Sequence, residues 1–191
     1  MVFISEENYL KHREALNADI LRLGIIERSA PKIIEAEPKA IARMKAGGPD
    51  MLKAAELKAS VILHKVFFSS FSARTYVPSE QIRREFGSER PLCEELYLAG
   101  MRIPRGFVAV LRTRRGLSVS ASESALDIFR LGEPILAVDV SEHAYYGDFG
   151  FNKEAYLRSA ISHLDLARAD MPPAEHSRFA SASTQNPSLF T

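Results

Sequence analysis

Apolar residues recur at helical spacing through the first third of the chain. Tyr9, Leu16, Ile20 and Leu23 share one face, behind Ser5 as an N-cap and Glu6 and Glu7 in the first turn. Pro31 interrupts this pattern near Ser29-Ala30, and a second helical stretch runs to about Lys45. Gly47-Gly48-Pro49 breaks it again, and Asp50 can cap the next helix. That helix is predicted from about Met51 to Phe71, with Val61, Phe67, Phe68 and Phe71 on one face. The helices form a hairpin.

A boundary falls near Arg74 to Pro78. Two short helical segments follow, about Ser79–Phe86 and Glu89–Met101, separated by Gly87. The period then changes from helical to alternating. Phe107, Ala109 and Leu111 alternate with Val108, Val110 and Arg112, and Leu117, Val119 and Ala121 alternate with serines. Arg114-Arg115-Gly116 reads as a hairpin tip between them. Glu133 to Val140 supplies a third strand, and Asn152 to Arg168 a last helix. The expected fold class is α+β. Residues 1–74 form the helical hairpin, residues 75–170 a lobe of helices around a three-stranded antiparallel sheet, and residues 171–191 a disordered Pro-, Ser- and Ala-rich tail.

Composition narrows this picture modestly. A chain of 191 residues with 46% hydrophobic and 26% charged content suits a soluble globular protein with a sizeable core. A net charge of +1 argues for neither a nucleic-acid partner nor a membrane surface. The single cysteine, Cys93, excludes an internal disulfide and a cysteine metal cluster, and reads as a small packed residue. The start, MVFISEEN, lacks a secretory pattern, and no apolar run approaches the ~20 residues of a membrane span. The expectation is a cytoplasmic protein.

The chemistry concentrates at Asp139-Val140-Ser141-Glu142-His143-Ala144-Tyr145-Tyr146. This octapeptide follows the apolar run Ile135 to Val138 and sets a carboxylate and an imidazole four residues apart at a strand end. Such oxygen and nitrogen ligands suit iron or manganese in an open, redox-active site. The spacing alone is common. The octapeptide as a whole differs at one position from DVWEHAYY, the signature of iron and manganese superoxide dismutases, and the chain resembles that family elsewhere. Leu63-His64-Lys65-Val66-Phe67-Phe68 is similar to the family's N-H-T-F-Y-W, and Ser5 to His12 is similar to S-K-K-T-L-E-F-H. Gly106-Phe107-Val108-Ala109-Val110 is a weak counterpart of G-W-A-W-L. The resemblance covers roughly residues 4 to 168.

It implies the ligands His12, His64, Asp139 and His143 around one iron or manganese ion per subunit. Independently, His12 falls on the Tyr9, Leu16 and Ile20 face and His64 on the Val61, Phe67, Phe68 and Phe71 face, where the two helices bury their apolar stripes. The resemblance further implies a homodimer, with Glu142 reaching the partner's last histidine ligand and Tyr146 at the interface.

The departures from the family are as specific as the matches. In the register that sets His12 at a ligand position, the family's funnel histidine becomes Leu16 and its funnel tyrosine Ile20. The iron-type glutamine, four residues before His64, becomes Ser60. The manganese-type glutamine would fall near Ser120 to Ser124, where Glu123 could reach in as a substitute; the only glutamines are Gln81 and Gln185. Tryptophan positions become Phe68, Phe107, Val108 or Ala109, and Ser141, so the pocket walls are Leu16, Ile20, Ser60, Phe68 and Phe107. Smaller walls and fewer donors predict a roomier site with a shifted potential.

Three classes of function are therefore set against one another. The leading one is a mononuclear iron or manganese oxidoreductase acting on superoxide or dioxygen, either by weak dismutation or by oxidase or oxygenase chemistry on a small organic substrate. The alternative is a non-catalytic dismutase-like scaffold in a larger assembly, which tends to lose ligands that this chain keeps. A hydrolase has least support, since no G-x-S-x-G, phosphate-cradling glycine loop or H-E-x-x-H occurs.

Overall fold

A computed structural model of the chain describes residues 5, 7, 8, 10–14, 17, 18, 49–71 and 79–172. The Tyr9, Leu16, Ile20 and Leu23 stripe, the Pro31 break, the stretch to Lys45, the Arg74 to Pro78 boundary and the tail beyond residue 172 lie outside the described residues.

The architecture is α+β, as expected. Residues 7, 8, 10–14, 17 and 18 are helical. Ser5 caps this segment, its hydroxyl accepting the Asn8 N–H at 3.2 Å. The second arm, α1 (Pro49–Ser69), starts two residues earlier than predicted. Pro49 and Asp50 both lie within the helix, so Asp50 is a helical residue and not the cap. Val61, His64, Phe67 and Phe68 are buried on α1 as the periodicity requires, and Leu63 and Val66 are buried too.

Helices α2 (Glu80–Phe86) and α3 (Glu89–Arg102) follow. Ser79 caps α2 by accepting the Ile82 N–H, and Asp170 accepts from the Glu80 and Gln81 amides at 3.0 and 2.8 Å. Strands β1 (Phe107–Thr113) and β2 (Gly116–Ser122) meet at the predicted Arg114-Arg115 tip. Helix α4 (Ala125–Leu131) then leads to β3 (Glu133–Asp139). Helices α5 (Glu142–Phe149) and α6 (Lys153–Ser162) and a 3-10 turn, Leu166–Asp170, complete the described chain.

The sheet is antiparallel in the order β2-β1-β3. Because β1 is central, Phe107 through Leu111 are all buried, and the alternation in its sequence separates two covered faces instead of a wet and a dry one. Val108 turns toward α3 and α6, where Gly100 lets Leu157 pack within reach of the helix backbone. Phe107 pairs with Asp139 across the ladder, so both side chains lie on the opposite face, toward α1.

Two differences from the sequence reading are caused by contacts between distant parts of the chain. The last helix stops at Ser162 and does not continue to Arg168. Leu164 bridges to Phe71, the Asp165 N–H goes to the Ser70 carbonyl at 2.8 Å, and the buried Arg168 guanidinium donates to Ser69 O and Ile135 O at 2.9 and 3.3 Å. These partners at the end of α1 draw the chain off the helix axis. Helix α4 has no strong period of its own over seven residues. It is set by Ser124 as N-cap and by Glu56 of α1, whose carboxylate accepts the Ser124 hydroxyl and the Ala125 and Leu126 amides at 2.8, 2.6 and 3.1 Å.

Candidate metal centre

Asp139 ends β3 with its side chain fully buried. Its Oδ1 accepts the Ser141 N–H at 2.8 Å, and its main-chain carbonyl accepts the hydroxyl of the buried Tyr156 at 2.6 Å. These two bonds orient the carboxylate and leave Oδ2 facing inward. Ser141 is the N-cap of α5, so His143 rises from the first turn of that helix, four residues after Asp139. Ser141 also takes the Gly106 N–H on its hydroxyl at 3.1 Å, a contact that the indole of the family signature could not accept. Gly106 itself stands at φ +98, and a Cβ there would lie 2.3 Å from the Ser122 carbonyl oxygen, so the turn into β1 admits only glycine.

Three elements far apart in sequence converge on Asp139 Oδ2. His12 Nε2 and His143 Nε2 each lie 2.9 Å from it, and His64 Nε2 lies 3.4 Å away. One ligand atom from each of the four residues falls within 4.8 Å of all the others. Metal bonds of about 2 Å to nitrogen and oxygen place ligand atoms roughly 3–4 Å apart, so the cluster needs little adjustment to close on one ion.

His12 is fully buried and His64 nearly so, whereas the His143 side chain is 42% exposed and marks the solvent side. Phe67 and Phe68 flank His12 at ring-centroid distances of 4.6 and 5.1 Å, and Phe107 meets His64 edge-on at 5.1 Å.

The donor set fits a cation on electrostatic grounds. His64 donates its Nδ1 proton to the Ser60 carbonyl at 2.8 Å, which leaves a bare lone pair on Nε2. That nitrogen is buried without a hydrogen-bond partner and aimed at a carboxylate oxygen. Two lone pairs facing each other in a dry interior repel unless a cation lies between them. Burial pushes the Asp139 carboxyl up, but the hydrogen bonds from His12 and His143 outweigh it and hold the group well below the usual carboxylate range. Burial lowers His12, against the pull of Asp139. An anionic carboxylate beside a neutral imidazole is the form a metal requires.

The four sequence-predicted ligand positions are thus brought together. Of the predicted walls, Ser60, Phe68 and Phe107 line the cluster, with the Ser60 hydroxyl 3.4 Å from His64 Nδ1; Leu16 and Ile20 lie outside the described residues. Glu142 and Tyr146 are exposed on α5, Tyr146 against the exposed Phe151. Glu123 does not turn inward: its carboxylate pairs with Arg105 at 3.0 Å on the surface. Gln81 hydrogen-bonds Glu85 on exposed α2.

Sequence reasoning missed Tyr156 and Asn8. Tyr156 is a buried aromatic whose role depends on a main-chain contact across 17 residues, which no spacing rule reveals. Asn8 was visible as a polar residue one turn before His12, a position whose meaning only the partner helix supplies.

An α+β protein with three histidines and one aspartate gathered at a strand end is the class that fold and site define. A family model described as the C-terminal domain of iron/manganese superoxide dismutases matches residues 76–171, about half of the chain. The chain belongs to the iron/manganese superoxide dismutase family. It is 34% identical over 87 residues to the Mn/Fe superoxide dismutase of Rickettsia typhi, covering 44% of this chain and 42% of that protein. It is 34% identical over 128 residues to the Fe superoxide dismutase of Cupriavidus metallidurans, covering 62% and 64%. A chloroplastic Fe superoxide dismutase of Oryza sativa subsp. japonica is 32% identical over 89 residues, covering 44% and 35%. The matches span less than two thirds of each relative's length. No helix among the described residues is long and apolar enough to cross a membrane.

Proposed function

We propose that the chain is a mononuclear iron or manganese redox enzyme acting on superoxide or dioxygen, with His12, His64, Asp139 and His143 as the ligands. The observation that carries this reading is the orphaned, buried Nε2 of His64, 3.4 Å from an oxygen of the fully buried Asp139 carboxyl group. The metal would supply one-electron chemistry on a small oxygen species. The chain's own residues hold the site: Asp139 gives the charge, Ser60 fixes the His64 tautomer through its carbonyl, and the three phenylalanines exclude water from the buried side.

His143 stands at the open side, where a small anion or dioxygen would approach. With Ser60 at the iron-type glutamine position and Gln81 committed to Glu85, no glutamine among the described residues stands beside the site. That favours slow dismutation, and it also favours a repurposed site that admits a small organic substrate. We further propose a homodimer formed through α5 and the turn after it, where Glu142, Tyr146 and Phe151 are exposed. The test of the ligand set is the metal content of His64→Ala and Asp139→Ala, purified like the wild type. Loss of metal in both supports it. Stoichiometric metal in either would refute the assignment.

A further inference from the structure

Among the described residues, two hydrogen bonds join the helical segment that carries His12 to α5, which carries His143. At the exposed rim, the Ser5 N–H donates to Asp148 Oδ2 at 2.8 Å. In the interior, Asn8 Nδ2 donates to the Ala144 carbonyl at 2.9 Å. Asn8 is 3% exposed. It lies one helical turn before His12, and Ala144 directly follows His143.

A buried carboxamide is costly unless it is hydrogen-bonded, so an apolar residue is the ordinary occupant of such a position. What the amide adds over apolar packing is direction: it fixes both the rotation and the slide of one helix against the other. Helix α5 is shaped to receive it. A Cβ on Gly147 would lie 3.0 Å from Asn8 Oδ1 and 3.2 Å from Asn8 Cγ, so the carboxamide occupies a slot floored by Gly147 and closed by the Ala144 carbonyl.

We propose that Asn8 is a positioning residue that sets the register between these two helices, so that His12 and His143 reach the same oxygen of Asp139. The two rings stand 4.9 Å apart, each with its Nε2 2.9 Å from Asp139 Oδ2. His12 precedes Asp139 by 127 residues, so its placement depends on packing of this kind and not on local chain geometry. The inference rests on the reading of the four residues as metal ligands.

The test is Co2+ binding by the full chain, followed by competition with a chelator and by the visible d–d spectrum, which reports ligand geometry. Contacts that orient metal ligands are worth about 10–100-fold in affinity. Asn8→Ala is therefore expected to weaken Co2+ binding at least about tenfold and to change the d–d bands, with the far-UV circular dichroism retained. Gly147→Ala should shift both in the same direction, because its methyl displaces the Asn8 carboxamide. In the Asn8→Ala background the nearest atom left to the same methyl is the Cβ of residue 8, at 3.5 Å, an ordinary contact, so it should add nothing.

Unchanged affinity and spectrum in Asn8→Ala would overturn the inference, as would an equal effect of Gly147→Ala in both backgrounds. Should Asn8→Ala not fold, Gly147→Ala decides alone, and wild-type affinity and bands in that variant overturn the inference. Failure of the ligand reading looks different: wild-type protein that takes up no Co2+ overturns that reading and this inference together.

Discussion

Tyr156→Phe isolates the contact that holds the metal-binding strand end in place. The substitution removes one oxygen and leaves the ring where it is, stacked on Tyr145 at 5.0 Å and edge-on to Phe149 at 5.7 Å. Apolar burial is therefore unchanged. What is lost is a 2.6 Å hydrogen bond from a fully buried hydroxyl to the Asp139 carbonyl. Burial raises the Tyr156 phenol well above its usual range, so the group is a neutral donor at any ordinary pH. An intramolecular hydrogen bond contributes about 1 kcal/mol net, and leaving its buried acceptor unpaired adds a further ~1 kcal/mol or more. The expected loss is about 2 kcal/mol. With a urea slope of about 2 kcal/mol/M, the midpoint of the metal-free protein should fall by roughly 1 M. The same carbonyl belongs to the residue that supplies the carboxylate, so metal affinity should fall by about tenfold. Tyr156→Phe with the wild-type midpoint and wild-type metal affinity would refute the argument that this hydroxyl anchors Asp139.

Acid should destabilise the metal-free protein. The unfolded His12 ring takes up its proton near the ordinary pKa of about 6.5 and the folded, buried ring only at lower pH, so between them the unfolded state binds more protons and stability drops as the pH is lowered. Asp139 acts in the same direction lower down, because stability from its depressed carboxyl is present above about pH 4 and lost below it. Urea midpoints at about pH 7.5 and about pH 5 should differ through His12, and equal midpoints would contradict its lowered pKa. Glu56→Ala should cost about 1–2 kcal/mol through loss of the carboxylate that caps α4, read as a fall of a few degrees in melting temperature. Ser60→Gln together with Ile20→Tyr should raise superoxide consumption if missing donors limit it; an unchanged rate would point to the altered walls instead.

Much of the fold was legible because its signals are local. Strands β1, β2 and β3 announce themselves by alternation and by the Arg114-Arg115 tip, and α2 by Ser79 and Gly87. The positions that form the four-residue cluster were legible through motif resemblance, and two of its histidines also through their place on apolar faces. What was not legible depends on contacts across the chain. Helix α4 needs Glu56, which lies 68 to 70 residues away. The early end of α6 needs Ser69 and Ser70 at the end of α1. Glu123 faces the surface because Arg105, not the site, is its neighbour. Each of these is a tertiary contact overriding a local pattern.

The central claim is that four residues hold one redox-active ion, and the most direct measurement takes metal content and superoxide consumption on one purified sample. The account predicts about one iron or manganese per chain, bound through imidazole and carboxylate, with superoxide consumed faster than by the free ion. Protein that carries neither metal after purification and takes up neither on reconstitution would contradict it.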